Sequence, residues 1–374
     1  MLGKSSPEGK GKNVLRPGLL EREGFVDSLA SVFAIIVGLA FGFLILLFSN
    51  PGQAAPAMGY ILRGGFSGGL KGVGQVLYFA TPIIMTGLSV AFAFRTGLFN
   101  IGAPGQFIVG AYAAVYIGVR WTFLPGASQW IVALIAAAAA GGLWALLPGL
   151  LKAYANVNEV ISSIMMNYIG MYGVNYLVKQ TIYDSLRNRS MVPKVSLPKW
   201  GMDKLFPTSS ANSGFFIAIA VVILIYIILE KTTFGYELKA CGFNQEAGRY
   251  AGINDKRNVV LSMVIAGALS GLGAALLYLA GSGKFIDVVD VLAAEGFNGI
   301  PVALLGLSNP FGVLAAGLFI AYITQGGFYM QLLDFVPEII DIIIAAIIYF
   351  SSFALVIKLF VQRQSAKKRG GLSK

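Results

Sequence analysis

The sequence predicts an all-α fold, a polytopic transmembrane helical bundle of about ten spans. Hydrophobic residues make up 56% of the 374 residues, charged residues only 12%, and the mean hydropathy is +0.74. Soluble domains carry about 25% charged residues. The uncharged segment 28–48 is long enough, at about 1.5 Å per residue, to cross a hydrocarbon core of about 30 Å. Because lipid offers backbone groups no partners, and these runs show no strand-like alternation, helices are expected rather than a barrel.

Several apolar segments can be delimited along the chain. They lie at 28–48, 73–94, 103–119, 130–151, 157–177, 214–229, 259–280, 291–307, 312–327 and 338–361. Pro104 at the start of the third segment and the pair Asn309-Pro310 between the eighth and ninth predict breaks or tight turns. Gly267 and Gly271 are four residues apart, a spacing that lets helix backbones approach closely in a membrane.

Composition excludes most enzyme classes and predicts neither a cofactor nor a metal site. The chain has no histidine, and Cys241 is its only cysteine. Zinc sites, disulfides, Ser-His-Asp triads and Cys-His pairs are therefore excluded within this chain. The segment 281–285, GSGKF, resembles a phosphate loop only faintly, since Phe285 lacks the Mg²⁺-binding hydroxyl and Tyr278 occupies the first glycine position. ATP would have to be handled by another polypeptide.

The distribution of charge predicts how the chain is oriented in the cell membrane. The net charge of +11 comes from Lys and Arg in loops and tails, which indicates an orientation signal rather than a nucleic-acid partner. The basic tail 362–374 contains no acidic residue and is predicted to be cytoplasmic, as is the N-terminal segment 1–27. Both termini of this multi-pass protein would then be cytoplasmic, with segment 230–258 inside and loop 178–213 outside. That loop carries six basic and two acidic residues, but long loops follow the charge rule less strictly.

Segment 230–258 contains a predicted short amphipathic helix. Asn244 can cap it, Glu246 lies in its first turn, and Gly252 can end it. Periodicity alone leaves two interpretations open: a surface helix that covers its own bundle, or a helix that docks on a cytoplasmic protein. The candidate docking residues are Asn244, Glu246, Ala247, Arg249, Tyr250, Ala251 and Gly252.

Four stretches of the chain resemble one known family. Residues 242–253, GFNQEAGRYAGI, resemble the coupling segment G-x-N-P-E-A-A-R-Y-A-G-I of permeases from ATP-binding-cassette (ABC) importers for branched-chain amino acids, simple sugars and nucleosides. Similar matches follow the family's order at 97–106 (GLFNIGAPGQ), 157–168 (VNEVISSIMMNY) and 296–306 (GFNGIPVALLG). The last two look most like nucleoside-type permeases. The chain departs from the family at Pro104, where Glu is usual, and at Gln245 and Gly248.

The resemblance implies a type II-like permease domain over 28–361 and a set of partners. These are a cytoplasmic ABC ATPase, a second permease subunit that is usually a different homologue, and an extracellular substrate-binding lipoprotein. The implied solutes are nucleosides, then simple sugars. The alternative that the residues leave open is an ion-coupled secondary transporter, which would explain carboxylates in apolar segments but not the capped cytoplasmic helix. No inverted repeat is visible.

Polar side chains inside apolar segments are the candidates for the substrate pathway. A charge at the bilayer centre costs about 2.5–3.5 kcal/mol, so it should face protein or water. The candidates are Asn100, Gln106, Glu159, Ser163, Asn167, Glu295 and Asn298. The alternative is that these groups form hydrogen bonds between helices, or that Glu159 lies at the cytoplasmic membrane edge beside Lys152.

The basic outer loop also has two interpretations. It is either a solvated connector, or a site where Arg187, Arg189 and Lys194 pair with acidic residues on the delivering binding protein. Charge complementarity of this kind speeds encounter between two proteins.

Overall fold

Helices account for nearly all regular structure in residues 23–352, the part of the chain that the computed structural model describes. Most of the predicted N-terminal segment, the end of the last predicted span and the basic tail 362–374 lie outside these residues. In chain order the helices are α1 (Glu23–Ser49), α2 (Ala54–Arg63), α3 (Gly69–Arg95), α4 (Ala103–Arg120), α5 (Gly126–Ala155), α6 (Glu159–Thr181), α7 (Met202–Leu205), α8 (Gly214–Lys231), α9 (Thr233–Phe243), α10 (Gln245–Tyr250), α11 (Asp255–Tyr278), α12 (Ala294–Phe297), α13 (Gly299–Leu305), α14 (Pro310–Met330) and α15 (Glu338–Ser352). The short antiparallel strands β1 (Tyr183–Asp184) and β2 (Arg189–Ser190) form a hairpin between α6 and α7.

Five helical runs among the described residues are long and apolar enough to cross a membrane. They are Ala54–Arg95, which joins α2 and α3 through a 3-10 turn, Gly126–Ala155, Gly214–Lys231, Asp255–Tyr278 and Pro310–Leu333. Helices also occupy the predicted segments 28–48, 103–119 and 157–177, and the described part of 338–361. The predicted helical fold is thus confirmed for the described residues, with five candidate membrane spans, while the number of ten spans stays a prediction.

The predicted eighth span, 291–307, is not a continuous helix. The structure divides it into α12 and α13, with Asn298 between them. Even together, these helices would reach about 18 Å at 1.5 Å per residue, short of a hydrocarbon core of about 30 Å. Glycines on both sides of the break let these short helices pack closely, because a β-carbon on Gly296 would overlap the backbone of Pro104 and one on Gly299 the backbone of Thr86. Close contact between backbones, rather than helix length, determines this segment.

The sequence analysis also missed α2, which lies between the first two predicted spans. Its ten residues include Pro56 and Gly59, and it ends at Gly64, which has a positive φ of 46°. Proline and glycine weaken a helix signal in the sequence. The helix is stabilised by packing, since Ala57 and Ile61 are buried in a cluster with α14 and α15.

Helix α11 lies at the centre of the bundle, against α3, α4 and α5, and glycines set its distance from α5. A β-carbon on Gly271 would overlap the carbonyl oxygen of Ala137, and one on Gly267 the carbonyl oxygen of Gly141. The close approach predicted from the spacing of these two glycines is therefore confirmed. Helix α1 packs on α15 in the same way, because a β-carbon on Gly42 would lie 2.9 Å from the side chain of Ile343. Small residues allow this packing where no hydrophobic effect drives helices together.

The connections gather at two opposite ends of the bundle. At one end the loop 178–213 packs on the segment after α11, where the Ser190 amide donates to the Ile286 carbonyl oxygen at 2.8 Å. At the other end Arg95 Nε donates to the carbonyl oxygen of Ser308 at 3.0 Å, and the hydroxyls of Thr96 and Ser262 are 2.8 Å apart. The segment 230–258 lies at this second end, across α8 and α11 from the loop 178–213.

Replacing Gly271 with alanine tests the contact between α5 and α11. The added methyl group would meet the Ala137 carbonyl oxygen, and overpacking of this kind costs about 1–3 kcal/mol. We expect a lower unfolding temperature for purified Gly271→Ala in detergent. Gly173→Ala on α6 is the matched control, because nothing lies within 4 Å of its β-carbon position. Equal unfolding temperatures for the two variants would contradict this packing.

Candidate functional site

An outer cavity of about 650 Å³ opens at the end of the bundle that carries the loop 178–213. Helix α3 contributes Gln75, Tyr78 and Phe79, and the segment 282–295 forms most of the remaining wall. The Tyr78 hydroxyl lies 3.0 Å from the Ser282 hydroxyl. Hydrogen-bonding groups beside aromatic rings are the usual lining of sites for small organic molecules.

A second cavity of about 390 Å³ adjoins the first and reaches deeper between α3, α12–α13, α14 and α15. The two share Phe79, Lys284, Ala294 and Glu295 as wall residues. Lys284 Nζ lies 3.4 Å from Glu295 Oε1, so an ion pair stands where the cavities meet. The deeper cavity is also lined by Asn298. Of the seven predicted pathway residues, Glu295 and Asn298 belong to the walls of these two cavities.

Asn100 and Gln106 instead bond to each other inside the bundle. Asn100 Nδ2 donates to Gln106 Oε1 at 2.9 Å, and Gln106 Nε2 donates to Asn100 Oδ1, also at 2.9 Å. Asn100 Nδ2 also donates to Ser89 Oγ at 3.1 Å. Both amides are buried. Their hydrogen bonds brace the break between α3 and α4, which matches the interhelical alternative, and a role in the pathway stays a prediction.

Asn167 and Ser163 join the same cluster from α6. Asn167 Oδ1 accepts from the Gly105 amide at 2.9 Å, and Asn167 Nδ2 donates to the Ile101 carbonyl oxygen at 3.0 Å. Ser163 is fully buried, and its hydroxyl finds no partner among the described residues. Asn167 therefore ties α6 to the chain that enters α4.

Glu159 lies apart from this cluster, at the first position of α6. Its carboxylate forms an ion pair with Lys152 of α5, at 2.9 Å from Nζ to Oε2. Asn158 caps the helix, since its Oδ1 accepts from the Val160 amide at 2.9 Å. This placement matches the alternative of a carboxylate beside Lys152 where the two helices meet.

The predicted cap of the short helix α10 is present. Asn244 Oδ1 accepts from the Ala247 amide at 3.0 Å, Glu246 stands in the first turn, and Gly252 adopts a φ of 82°. The helix exposes its apolar side: Tyr250 is 92% exposed, as is the neighbouring Phe243. Ala247 and Ala251 are exposed as well. The predicted apolar face therefore does not cover the chain's own bundle.

Helix α10 is tethered to α11 through one carboxylate. Asp255 Oδ2 accepts from Arg249 Nη2 at 2.7 Å and from Gln245 Nε2 at 2.9 Å. The hydrogen bond to Asp255 raises the pKa of Arg249 above its ordinary value. The helix turns its buried residue, Gly248, towards Cys241. Its orientation is thus held by side chains while its apolar face stays open.

The preceding helix, α9, touches the turn between α3 and α4. A β-carbon on Gly242 would overlap the carbonyl oxygen of Arg95 and lie 3.0 Å from the Gly97 amide nitrogen. Arg95 in turn bonds to Ser308, and Asn100 follows five residues after Arg95. Contacts therefore run without a gap from α10 through α9 to the polar cluster.

The three basic residues predicted to dock a binding protein differ in their surroundings. Arg187 and Lys194 are exposed. Arg189 lies over the ring of Phe285, with Cζ 3.8 Å from the ring centroid, and Phe285 is part of the outer cavity's wall. Arg187 and Lys194 are thus open to a partner, whereas Arg189 supports the cavity rim.

Sequence reasoning missed most residues that line the outer cavity. Ser282, Lys284 and Phe285 lie in the segment GSGKF, whose sequence indicated only a faint resemblance to a phosphate loop. Tyr78 lies in the apolar segment 73–94, where nothing in the sequence indicates a binding site. The signal that could have found them is a Lys and a hydroxyl group close to Glu295 in sequence. Their convergence with α3 depends on the fold.

Comparison with known proteins identifies the family of the chain. Residues 72–352 match the family model described as branched-chain amino acid transport system / permease component. The guanosine ABC transporter permease protein NupP of Bacillus subtilis is 40% identical over 343 residues, 91% of this chain and 97% of that protein. The nucleoside ABC transporter permease protein NupB of Lactococcus lactis is 32% identical over 92% of this chain and 96% of its own length. A glucose ABC transporter permease protein of Haloferax volcanii is 31% identical over 75% of each chain.

These relatives are permease subunits and not enzymes. The same two bacteria each have a further matching permease with the same described substrate, at 26% identity in B. subtilis and 25% in L. lactis. No solved structure matches the chain significantly. The resemblance seen in the motifs is confirmed over most of the sequence: the chain belongs to the branched-chain amino acid transport system / permease component family.

Proposed function

We propose that this chain is a permease subunit of an ABC importer for nucleosides or a related small polar solute. It forms the translocation pathway with a second, different permease subunit, while a separate ATPase hydrolyses ATP and an extracellular lipoprotein delivers the solute. The observation that carries the proposal is the exposed apolar face of α10, which includes Tyr250 at 92% exposure. A capped helix is suited to dock on another protein when its polar side chains are bound to α11 and its apolar face is exposed to solvent.

The outer cavity supports a nucleoside as the solute. Phe79 and Phe285 offer flat aromatic surface, on which a base can stack. Lys284, Glu295 and Ser282 offer charged and hydroxyl groups in the same wall, as a ribose with its hydroxyls would need. The names of two relatives that match over most of the chain, a guanosine and a nucleoside permease, agree with this choice. A simple sugar is the second choice, supported by the glucose permease relative.

The contacts of α10 also suggest how an ATPase would act on the pathway. Movement of a docked ATPase would displace α10, and the Asp255 tether would pass that displacement to α11. The contact of Gly242 with Arg95 would pass it to the turn before Asn100. The outcome is a change in access to the cavity, with no covalent chemistry in this chain.

Transport measurements test this function directly. The chain co-expressed with its ATPase, second permease and lipoprotein should take up labelled guanosine, with excess unlabelled nucleoside competing better than excess glucose. Uptake should stop when the ATPase subunit carries an inactive phosphate loop. Uptake by this chain alone in vesicles that hold an ion gradient would instead establish a secondary transporter.

A charge on the face of α10 should block docking of the ATPase. Phe243→Glu with Tyr250→Glu places two carboxylates on a surface that would be buried on docking, where unpaired charge is strongly unfavourable. We expect the ATPase to be lost from the purified complex while the amount of permease in the membrane stays unchanged. Leu186→Glu is the matched control, because Leu186 is 95% exposed in the loop at the opposite end. Undiminished ATPase recovery with the double variant would refute docking at α10.

Two carboxylate variants test which acidic residue serves the pathway. Glu295→Gln should reduce uptake about ten- to a hundredfold, the effect of losing a charged hydrogen-bond partner worth about 1.5–3 kcal/mol. Glu159→Gln should leave uptake nearly unchanged, because its ion pair with Lys152 lies away from both cavities. Initial rates of nucleoside uptake at several concentrations give the comparison, with expression matched by immunoblot. A larger loss in Glu159→Gln would reverse the assignment.

A further inference from the structure

Helix α6 exposes a row of tyrosines near the middle of the bundle. Tyr168, Tyr172 and Tyr176 follow one another at four-residue spacing, so they share one face of the helix. Their side chains are 48%, 55% and 63% exposed. No hydroxyl of this tyrosine stripe has a hydrogen-bond partner among the described residues. Tyr168 and Tyr172 each lie two residues from the midpoint of the 23-residue helix, about 3 Å along its axis.

Other exposed helices provide the comparison. Helices α5 and α8 also turn large side chains outwards, and apart from Tyr154 in the last turn of α5 these side chains lack polar atoms: Ile131, Ile135, Leu143, Leu147, Leu150, Phe216, Ile223, Leu224 and Ile227. Both helices are among the five apolar enough to span a membrane, whereas α6 is not, although it has 23 residues. The outer faces of α5 and α8 therefore suit acyl chains. The stripe does not, because a hydroxyl without a partner in hydrocarbon is costly.

The surroundings of the stripe become more polar towards the end of α6. A depression of about 340 Å³ is lined by Tyr172, Tyr176, Asn175, Lys179, Val288 and Asp290. Asn175 Nδ2 donates to Asp290 Oδ1 at 3.1 Å and to the Val289 carbonyl oxygen at 3.0 Å. A lysine and a carboxylate at this place require water or a protein partner. Hydrogen-bonding groups thus continue from the helix midpoint to the loop, on a face of α6 that also exposes Ile161, Met165 and Ile169.

We propose that the tyrosine stripe is the surface on which the second, different permease subunit packs. The inference rests on the proposed function, because that function supplies a partner inside the membrane. A position at the midpoint of α6, the fifth predicted span, is beyond the reach of a cytoplasmic ATPase or an extracellular lipoprotein. Two bacteria with relatives of this chain each hold a second matching permease for the same described substrate.

Tyrosine suits such an interface for physical reasons. It offers a large, rigid contact surface with few rotatable bonds, and its hydroxyl finds partners on the facing subunit or in water between the subunits. Packing of the rings together with three hydroxyls would therefore make the stripe a substantial part of the contact.

Photo-crosslinking from the stripe tests the inference in the whole complex. Tyr172 is replaced by p-benzoylphenylalanine in the chain co-expressed with its transporter partners, and membranes are irradiated. Mass spectrometry should identify the adduct as the second permease. Ile135, which is 65% exposed on α5, is the matched control and should give lipid adducts only. Lipid adducts alone at position 172, or an adduct with a second copy of this chain, would overturn the proposal.

A second variant separates the hydroxyls from the rings. The triple variant Tyr168→Phe, Tyr172→Phe and Tyr176→Phe keeps the aromatic surface, and we expect the second permease to bind about tenfold more weakly on dilution in detergent. The same triple variant should retain the ATPase through α10. Unchanged affinity for the second permease would contradict a polar role of the stripe.

Failure of this inference can be told from failure of the proposed function. If the unsubstituted chain co-purifies with an ATPase and a second permease but position 172 gives no permease adduct, the interface lies elsewhere. If neither subunit accompanies the unsubstituted chain, the proposed function itself is wrong.

Discussion

The hydrogen bonds around the break between α3 and α4 make the arrangement of this bundle possible. In a membrane, a chain that leaves the helical path must find partners for its backbone within the protein. Here the Asn167 side chain satisfies the Gly105 amide and the Ile101 carbonyl oxygen, while Asn100 and Gln106 bond to each other. With these groups satisfied, α4 can begin inside the bundle, and the glycine of α12 can contact Pro104.

That arrangement connects the two ends of the molecule. The cavities lie towards the loop 178–213, and the exposed helix α10 lies at the opposite end. Between them stand α3 and α11, which reach both ends: α3 runs from Gln75 at the cavity to Arg95 beside α9, and α11 from Tyr278 at the cavity to Asp255 beneath α10. A displacement of α10 would therefore have two helices through which to reach the cavities, as the proposed coupling to an ATPase requires.

Local signals in the sequence predicted local features well. The cap at Asn244, the break at Pro104 and the close packing at Gly267 and Gly271 follow from the chemistry of a few neighbouring residues, and all are present. Features that depend on distant contacts were missed. Gly296 lies against the backbone of Pro104, and Lys284 lines a cavity because α3 lies opposite. For Asn100 the sequence shows a polar side chain but not Gln106 and Ser89, the hydrogen-bond partners that it has in the bundle.

The tether of α10 has a consequence for how firmly this helix is held. The coupling-segment pattern that residues 242–253 resemble has proline at the position of Gln245, the first residue of the helix, where the fixed φ of proline favours helical geometry without any distant partner. In this chain Gln245 lacks the fixed φ of proline, but its side chain donates a hydrogen bond to Asp255, which also pairs with Arg249. The orientation of α10 therefore depends on Asp255, a residue outside the helix. Part of this dependence is the ion pair between Arg249 and Asp255, which salt weakens. Substitutions at Asp255 and changes in ionic strength would therefore alter how firmly α10 is held against α11.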